Sequence, residues 1–505
     1  MNLYAIVLTV IVVVLLTVSI SQIRKVKTKA DYLVAGRTLP WYVLVFTLLS
    51  SWIGSGSLFG GAENAFKNGF PALWQPAGGW VGLLVILVVA PRARKFAQFT
   101  VPDLLETRYN TAARVLGAIA ILFAFTAITS YQFKGGGDVL HLTFPGLDQI
   151  ARDTFHFAPG HEHRLGMVII AVFVIVFTAL AGMASVAYLD VVIGLLATVM
   201  CLAAIPILSN AVGGWSGLQQ KLPADHFQFL GPFTFVKAME YFMPVFLLML
   251  GNQAMYQKFF SAKSERDAKI AVFGWIGGTL ILETVIVAIA VFGAALYGNT
   301  DVAHAPREII PYTARHGLPA VMGALLMGAV FAKVISTANN YLFSPATNLV
   351  HDVYSRFVNK NASDSQILLV SRIIVVGLGI FALLQGTIWE SILAMALYAY
   401  TIYSAAITPA VMAAFFSKRV TAPAAVTSIV LGTVITIAWN IMQLASQSGN
   451  SSLAGATWLQ HDAIFPALAV SLVSLVGVSL VTAPPRPEQW KPFLANENVE
   501  ATAKA

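Results

Sequence analysis

Residues 47–64, TLLSSWIGSGSLFGGAEN, interrupt the middle of a long apolar segment. Glycines and serines crowd together here at a depth where lipid offers no hydrogen bonds, so unpaired backbone groups are costly. Transporters tolerate broken helices at that depth and use them to present carbonyls to an ion and a solute. The stretch therefore predicts half of a binding site. The alternative is a helix whose small residues permit close packing.

The composition is that of a protein with many membrane spans. Of the 505 residues, 57% are hydrophobic and 11% are charged, against about 25% charged in a soluble domain. Apolar runs near the ~20 residues needed to cross a bilayer recur along the whole chain. The single cysteine, Cys201, excludes an intrachain disulfide. The first apolar run has no basic segment before it, which favours an uncleaved first span.

Hydropathy divides the chain into thirteen predicted spans. Their bounds are about 3–20, 41–66, 72–90, 114–140, 165–181, 188–208, 233–251, 270–297, 319–350, 367–384, 392–416, 422–444 and 463–481. Most of the 31 lysines and arginines fall in loops on one side of this division, which the positive-inside rule identifies as the cytoplasmic side. The pattern predicts an N-terminus outside, a cytoplasmic C-terminus, and basic loops that set topology and do not bind nucleic acid.

Charged residues inside spans are functional candidates, because the bilayer makes them costly. Lys134 lies one helical turn from Asp138 and can pair with it. Asp190 begins span six, and Glu283 lies deep in span eight with no evident local partner. Lys333 is followed by hydroxyls and amides in KVISTANN. Hydroxyls beside exposed carbonyls suit an alkali cation, although they can also bond back to their own helix.

Other function classes find little support in the sequence. His156, His161 and His163 lie in an outside loop, HFAPGHEH, which is interpreted as solvated because a metal site needs a closed ligand set. A membrane-embedded enzyme needs a nucleophile with a base, or a metal cluster, inside the membrane. The nearest candidates, His351 and Asp352, are expected at the cytoplasmic mouth of span nine. A channel is disfavoured because no filter motif is visible.

Five segments, in order, resemble the sodium/solute symporter family, which includes transporters of proline, glucose, sialic acid and choline. They are SSWIGSGSLFGG in span two, TVPDLLETRYN after span three, ASVAYLDVVIG at spans five to six, NQAMYQKFFSAKSERDA after span seven and ISTANNYLFSPATNLVHDVY in span nine. The resemblance covers essentially the whole chain, 1–505, as a single transporter domain.

The family resemblance implies an all-α, polytopic membrane protein with the leucine-transporter-type fold. That fold contains two inverted repeats of five helices, here about 41–208 and 233–416, and a short cytoplasmic tail at 482–505 would follow. Each repeat is expected to begin with a broken helix. This agrees with residues 47–64 and with a second weak point, LMLGNQ, in span seven.

The resemblance also implies a sodium site between spans two and nine. Its ligands would be the carbonyls of Ser50, Ile53 and Lys333 and the hydroxyls of Ser336 and Thr337, with Asp190 near the inner ion-release path. Lys333 departs from the family, where this position is normally small. If its side chain points into the site, its ammonium would exclude sodium and could titrate, which gives a proton-coupled or ion-independent transporter. If it points away, sodium coupling survives.

On the same mapping the solute site lies between spans two, three, four, seven and eleven. It would be lined by Ser57, Gln75, Val245, Leu248 and Met249, with Trp74, Lys134 and Tyr400 nearby. The apolar positions in span seven disfavour a polyhydroxylated solute, since each unpaired hydroxyl costs roughly 1–3 kcal/mol. Lys134 suggests a carboxylate, but amino acids remain equally open.

The resulting prediction is a secondary symporter, not an enzyme, in the cell (inner) membrane. It would import a small organic solute together with sodium by alternating access. No cofactor is expected besides the coupling sodium ion, and no obligate protein partner besides the solute and the bilayer. The alternative from another class is a solute sensor, since this scaffold is sometimes joined to a signalling kinase. The tail after Thr482 is too short for a kinase, which argues against a sensor.

Overall fold

The computed structural model describes residues 3–23, 34–96, 99–144, 146–157, 163–180, 183–389, 391–447, 453 and 456–494. Three predicted features lie wholly or partly outside the described residues. They are the basic loop at 24–29, the centre of the HFAPGHEH loop with His161, and the part of the tail beyond residue 494.

Within the described residues the regular secondary structure is helical, apart from one isolated bridge between Leu39 and Ala262. Span numbers are kept here for the helices that match the predicted spans. The principal helices are Leu3–Ile23, Trp41–Trp52, Ala62–Asn68, Trp74–Phe96, Val101–Arg108, Thr111–Thr143, Gly146–Asp153, His163–Leu180, Met183–Val212, Gly214–Lys221, Phe235–Gly251, Gln253–Ser261, Glu265–Tyr297, Ile309–His316, Ala320–Asn348, Asp364–Gln385, Ile392–Ala406, Thr408–Phe416, Ala422–Gln447, Ile464–Val481 and Pro487–Leu494.

Most of the predicted spans coincide with helices that can cross a bilayer. Within the described residues nine helices are long and apolar enough, and the bent pair Trp41–Trp52 with Gly56–Asn68 makes a tenth. The other three predicted spans, one, five and seven, coincide with the helices Leu3–Ile23, His163–Leu180 and Phe235–Gly251. The total of thirteen spans stays a prediction.

Side-chain caps fix where several helices begin. Thr100, Asn110, Ser264, Ser363 and Ser391 each accept a hydrogen bond from a backbone N–H in the first turn of the following helix. Such caps satisfy amides that have no partner inside the helix. Polar residues at the ends of the apolar runs therefore set the helix starts.

Span two is broken in its middle, as residues 47–64 predict. Its halves, Trp41–Trp52 and Gly56–Asn68, are bent by 55°. The first half ends because Ile53 takes an extended conformation, with φ −89° and ψ 99°. The N–H of Ser55 donates instead to Oε1 of Gln132 in span four at 2.7 Å. A side chain thus replaces the helix hydrogen bond that lipid could not supply.

Span seven is broken at Asn252, inside the predicted weak point LMLGNQ. The hydroxyl of Tyr403 in span eleven donates to the carbonyl of Gly251 at 2.6 Å and accepts from the N–H of Gln253 at 3.0 Å. One phenol therefore satisfies two of the backbone groups that the break exposes, and the hydroxyl of Tyr256 satisfies a third, the carbonyl of Leu250, at 3.0 Å. The short helix Gln253–Ser261 continues the chain on the far side.

Spans three and seven approach each other most closely at Gly78. A Cβ on Gly78 would lie 2.2 Å from the carbonyl oxygen of Phe242 and 2.9 Å from the amide nitrogen of Phe246. Both are backbone atoms, which cannot rotate out of the way. Small residues that let backbones approach are a main source of helix association in lipid.

An ionic cluster joins the helix Val101–Arg108, span four and the end of span nine. Nη2 of Arg114 lies 2.5 Å from Oδ1 of both Asp103 and Asp352, and Nη1 lies 2.5 Å from Oε2 of Glu106. Nε2 of His351 lies 2.9 Å from Oδ2 of Asp103. Asp103, His351 and Asp352 are close enough to share a metal ion. However, the guanidinium already supplies the positive charge that buried carboxylates require.

We predict that Gly78→Ala destabilises the protein by about 1–3 kcal/mol, because the added methyl must push two backbones apart. The measurement is the thermal midpoint of the detergent-purified protein. Gly477→Ala in span thirteen is the matched control, since a Cβ there meets no atom within 4 Å. Equal midpoints for the two variants would contradict the close packing of spans three and seven.

We also predict that the protein loses stability in acid because the carboxylate of Asp103 becomes protonated. Burial alone would raise the pKa of Asp103, but the hydrogen bond from His351 and the charges of His351 and Arg114 hold the pKa below its ordinary value of 3.8. A pKa that is lowered on folding stabilises the protein above the unfolded value, and this stabilisation disappears as the pH falls through the folded value.

Asp103→Asn should therefore lower the melting temperature at pH 7, and its melting temperature should change less than that of the parent below about pH 4. The control is Asp301→Asn, at an exposed position. If the melting temperatures of the parent and of Asp103→Asn fall by the same amount between pH 7 and pH values below about 4, the role given to the carboxylate is refuted.

Candidate functional site

Three carbonyl oxygens and one hydroxyl converge where span two is broken. Oγ1 of Thr337 lies 2.8 Å from the carbonyl oxygen of Ser50, 2.9 Å from that of Lys333 and 3.4 Å from that of Ile53. Gly54 permits this approach, since a Cβ there would lie 2.7 Å from the same hydroxyl. Four of the five predicted sodium ligands thus lie together. The hydroxyl has one hydrogen to share among three acceptors.

The fifth predicted ligand, Ser336, contacts Asp190 in span six. Its hydroxyl donates to Oδ1 of Asp190, and the hydroxyl of Thr47 donates to Oδ2 at 2.5 Å. Both Asp190 and Thr47 are fully buried. Asp190 therefore joins spans two, six and nine beside the cluster of carbonyls.

Lys333 contributes both its carbonyl and its ammonium to this region. The carbonyl belongs to the oxygen cluster, while Nζ donates to Oγ of Ser50 at 3.1 Å. The side chain therefore ends at the hydroxyl of Ser50, beside the predicted sodium site, and no described hydrogen bond joins its Nζ to the carbonyl oxygens. The ammonium and the carbonyl oxygens that would bind sodium are both close to Ser50, so sodium coupling and its replacement by the lysine charge remain alternatives.

A second buried lysine near this region was missed at the level of sequence. Lys258 belongs to a basic stretch that predicts a solvated cytoplasmic loop, but it is fully buried in the helix Gln253–Ser261. Its Nζ donates to Oδ1 of Asn340 at 2.8 Å and to the carbonyl of Ala254 at 3.3 Å. No local signal along the chain indicates this burial, because it follows from the break in span seven.

A cavity opens between spans two, three, seven, eight and eleven. The space in it that a water molecule can reach is only about 30 Å³, so its walls would have to move apart to admit a solute. Among the predicted solute residues it contacts Ser57, Gln75, Val245 and Tyr400. The complete lining is Trp52, Ser57, Gly61, Ala72, Gln75, Pro76, Val245, Glu283, Ile286, Val287 and Tyr400.

Three other predicted solute residues do not line this cavity. Nε1 of Trp74 donates to the carbonyl of Phe229 at 2.9 Å, in the loop before span seven. Leu248 and Met249 are fully buried. Met249 packs against span three, where a Cβ on Gly82 would lie 2.8 Å from its Cβ. The orientation of span seven about its own axis places Val245 at the cavity and turns Leu248 and Met249 away from it. The sequence does not reveal this orientation.

Lys134 is also absent from the cavity lining. Its Nζ donates to the carbonyl of Trp389 at 2.7 Å, in the segment before span eleven. The pair predicted between Lys134 and Asp138 is wrong, because Asp138 forms its ion pair with Arg307 at 2.8 Å. Asp138 thus pairs with Arg307, which is distant in sequence, and not with Lys134, which is one helical turn away.

The cavity contains a carboxylate whose partners the sequence did not indicate. Oε1 of Glu283 accepts from Nε1 of Trp52 at 2.9 Å and from Oγ of Ser57 at 3.3 Å. Oε2 accepts from Nε1 of Trp80 at 3.0 Å. The sequence singles out Glu283 as an intramembrane charge, but its donors come from spans two and three and are visible only in the folded chain.

Sequence comparison relates this chain to named transporters. The model of the sodium:solute symporter family matches residues 32–432. The osmoregulated proline transporter OpuE of Bacillus subtilis is 23% identical over 485 residues, which cover 92% of each chain. A sodium/proline symporter of Staphylococcus aureus is 26% identical over 445 residues, which cover 81% of this chain and 80% of that relative.

Structural comparison confirms the predicted fold. A Na⁺-coupled sialic acid symporter in a substrate-bound, outward-open state has a TM-score of 0.75 at 18% identity, covering 96% of this chain and 98% of that one. Mhp1, a nucleobase-cation-symport-1 family transporter in a closed conformation, has a TM-score of 0.54 at 12% identity, covering 92% and 99%. The all-α, leucine-transporter-type fold is therefore the fold of this protein.

The family match spans most of the chain and agrees with the segments that predicted it. The named relatives are transporters, which confirms the expectation of a transporter and not an enzyme. With its many apolar helices, this is a multi-pass membrane protein that acts on a small-molecule solute. The chain belongs to the sodium:solute symporter family.

Proposed function

We propose that this protein is a secondary active symporter that imports a small organic solute with sodium by alternating access. Sodium binds among the carbonyls of Ser50, Ile53 and Lys333 and the hydroxyls of Ser336 and Thr337. Binding there fixes the broken helix and raises the affinity of the adjacent cavity for solute. The coupling is the difference between the affinities of ion and solute for the outward-open and inward-open states.

The observation that carries this proposal is the excess of acceptors around Thr337. Three carbonyl oxygens lie within 3.4 Å of one hydroxyl, which has a single hydrogen. Buried carbonyls without enough donors are costly, and an oxygen-coordinated cation removes that cost. Ser336 now donates to Asp190, so its hydroxyl would have to rotate to become the fifth ligand.

The solute in this proposal is a small amino acid or carboxylate, and L-proline is the first to test. The support is the named activity of the proline transporters that the chain resembles along most of its length. The cavity has a mainly apolar lining with a few polar groups, and this chemistry suits a compact, partly apolar molecule once the walls move apart to admit it.

The same proposal includes the arrangement in the membrane. Residues 41–208 and 233–416 act as two inverted repeats that rock about the cavity, and residues 482–505 form a cytoplasmic tail. The support is that a broken helix lies near the start of each repeat. The excess of basic residues in alternate loops supports an N-terminus outside, a cytoplasmic C-terminus and residence in the cell (inner) membrane.

A second candidate function follows from Lys333. Its ammonium lies 3.1 Å from Oγ of Ser50, beside the carbonyl cluster. In this alternative the ammonium of Lys333 takes the place of the positive charge of sodium, and the protein is proton-coupled or independent of ions. Deprotonation of Lys333 would then release the broken helix, as loss of sodium does in the first proposal.

We predict that Thr337→Val raises the sodium concentration for half-maximal uptake by about tenfold or more, because it removes a ligand without changing the side-chain shape. The measurement is sodium-dependent uptake of labelled L-proline and pooled small solutes by proteoliposomes. Thr337→Ser retains the hydroxyl and should stay close to the parent. A normal sodium dependence in Thr337→Val would argue against the sodium site.

We further predict that uptake follows an imposed sodium gradient and not an imposed proton gradient. The same proteoliposomes are loaded with each gradient separately, for the parent, Lys333→Ala and Lys333→Met. The second candidate is correct instead if the parent ignores sodium while Lys333→Ala acquires sodium dependence. Lys333→Met controls for side-chain volume, since it removes the charge and retains most of the length.

A further inference from the structure

Glu283 places a buried carboxylate in the solute cavity without a counter-charge. The residue is 4% exposed and lies in the middle of span eight. In the part of the chain that the structure describes, no lysine, arginine or histidine forms an ion pair with Glu283. An isolated buried charge is strongly unfavourable unless a partner neutralises it.

The hydrogen bonds around Glu283 favour the ionised carboxylate. The indole N–H groups of Trp52 and Trp80 can only donate, and they donate to different oxygens of the carboxylate. The hydroxyl of Ser57 lies 3.3 Å from the same oxygen that Trp52 contacts. Hydrogen bonds to both oxygens stabilise the charged form, while burial without a counter-charge opposes it, and a cationic ligand would supply that counter-charge. A carboxylate offers about four acceptor positions, so one remains for a ligand.

A second polar group in the same cavity also needs a donor. Gln75 is only 6% exposed, and its buried Oε1 has no hydrogen-bond partner among the residues that the structure describes. Gln75 and Glu283 both line the cavity, together with the aromatic rings of Trp52 and Tyr400. Two acceptors and two aromatic rings in one small space form an environment that suits a cation with N–H groups.

We propose that this cavity recognises the protonated amino group of its solute, with Glu283 as the counter-charge and Gln75 as a second acceptor. The inference rests on the proposed function, because the cavity is a transport site only if the protein is a transporter of this kind. The apolar side of the lining, which includes Val245 and Ile286, accommodates the carbon skeleton. The solute class is therefore zwitterionic or cationic amines, including amino acids.

This assignment narrows the solute prediction made from the sequence. Lys134, which suggested a carboxylate solute, donates to the carbonyl of Trp389 and does not line the cavity. A solute that carries only negative charge would meet the carboxylate of Glu283 at close range. Like charges in a desolvated site discriminate strongly against the wrong ligand. Acids without an amine should therefore bind poorly.

The test is ligand-induced thermal stabilisation of the full-length protein in detergent. It needs no ion gradient, and the sodium concentration in the buffer is kept constant. The ligands are a panel of small amines and amino acids, each paired with an isostere that lacks the ammonium. L-proline is paired with tetrahydrofuran-2-carboxylate, and pyrrolidine with tetrahydrofuran. We expect stabilisation by at least one amine and none by its isostere. Glu283→Gln should raise the half-saturating amine concentration by about tenfold or more.

Two further variants distinguish a specific loss of amine binding in Glu283→Gln from a folding defect. Gln75→Met leaves the carboxylate in place and should weaken amine binding without removing it. Glu265→Gln lies at the exposed start of the same helix and should match the parent. Equal stabilisation by amines and isosteres would overturn the inference. So would stabilisation by acids alone, by no ligand in the panel, or unchanged amine binding in Glu283→Gln.

Uptake by proteoliposomes separates this inference from the proposed function. Amine binding without gradient-driven uptake would uphold the amine site and contradict the proposed symport. Gradient-driven uptake of only neutral or acidic solutes would uphold symport and overturn the amine site. Proton-driven uptake of a solute without an amine, lost in Glu283→Gln, would identify Glu283 as a proton carrier and also overturn the inference.

Discussion

The hydrogen bond from the hydroxyl of Thr337 to the carbonyl of Ser50, at 2.8 Å, joins the broken helix of span two to span nine. A helix broken inside a bilayer exposes backbone groups that lipid cannot satisfy, so another part of the protein must lie against the break. This constraint requires span nine to pack at Ile53 and requires a residue without a side chain at Gly54. The position of the cavity beyond the break follows from the same contact.

The two broken helices meet this constraint in different ways. At the break in span seven, Tyr403 supplies both a donor for Gly251 and an acceptor for Gln253, so the exposed groups are paired within the protein. At the break in span two, carbonyls outnumber the hydroxyl hydrogen of Thr337. The first arrangement is complete as it stands. The second retains acceptor capacity for a cation, which is the physical basis for assigning the ion to span two and not to span seven.

Buried charges in this protein fall into two groups. In the cluster around Arg114, carboxylates pair directly with a guanidinium, and such a cluster holds helices together without needing a ligand. Near the two breaks, Asp190, Lys258 and Glu283 are held mainly by neutral hydroxyl, amide and indole groups. Neutral partners orient a charge without cancelling it. Asp190 also lies close enough to Lys258 and Lys333 to feel their positive charges, whereas Glu283 forms no ion pair within the described residues.

Composition and the residues that interrupt the apolar runs were enough to predict the helical, many-span class and the break within residues 47–64, because both are visible along the chain. The weak point at LMLGNQ and the oxygen cluster around Thr337 were predicted through the resemblance to the sodium/solute symporter family, not from local composition. Three features became visible only in the folded chain: Glu283 is held by two indoles, Lys258 is buried, and Asp138 pairs with Arg307 and not with Lys134. Those outcomes depend on the rotation of each helix and on which distant helix lies beside it. Apolar runs of similar composition do not encode that information locally, because many helix faces can pack equally well in lipid.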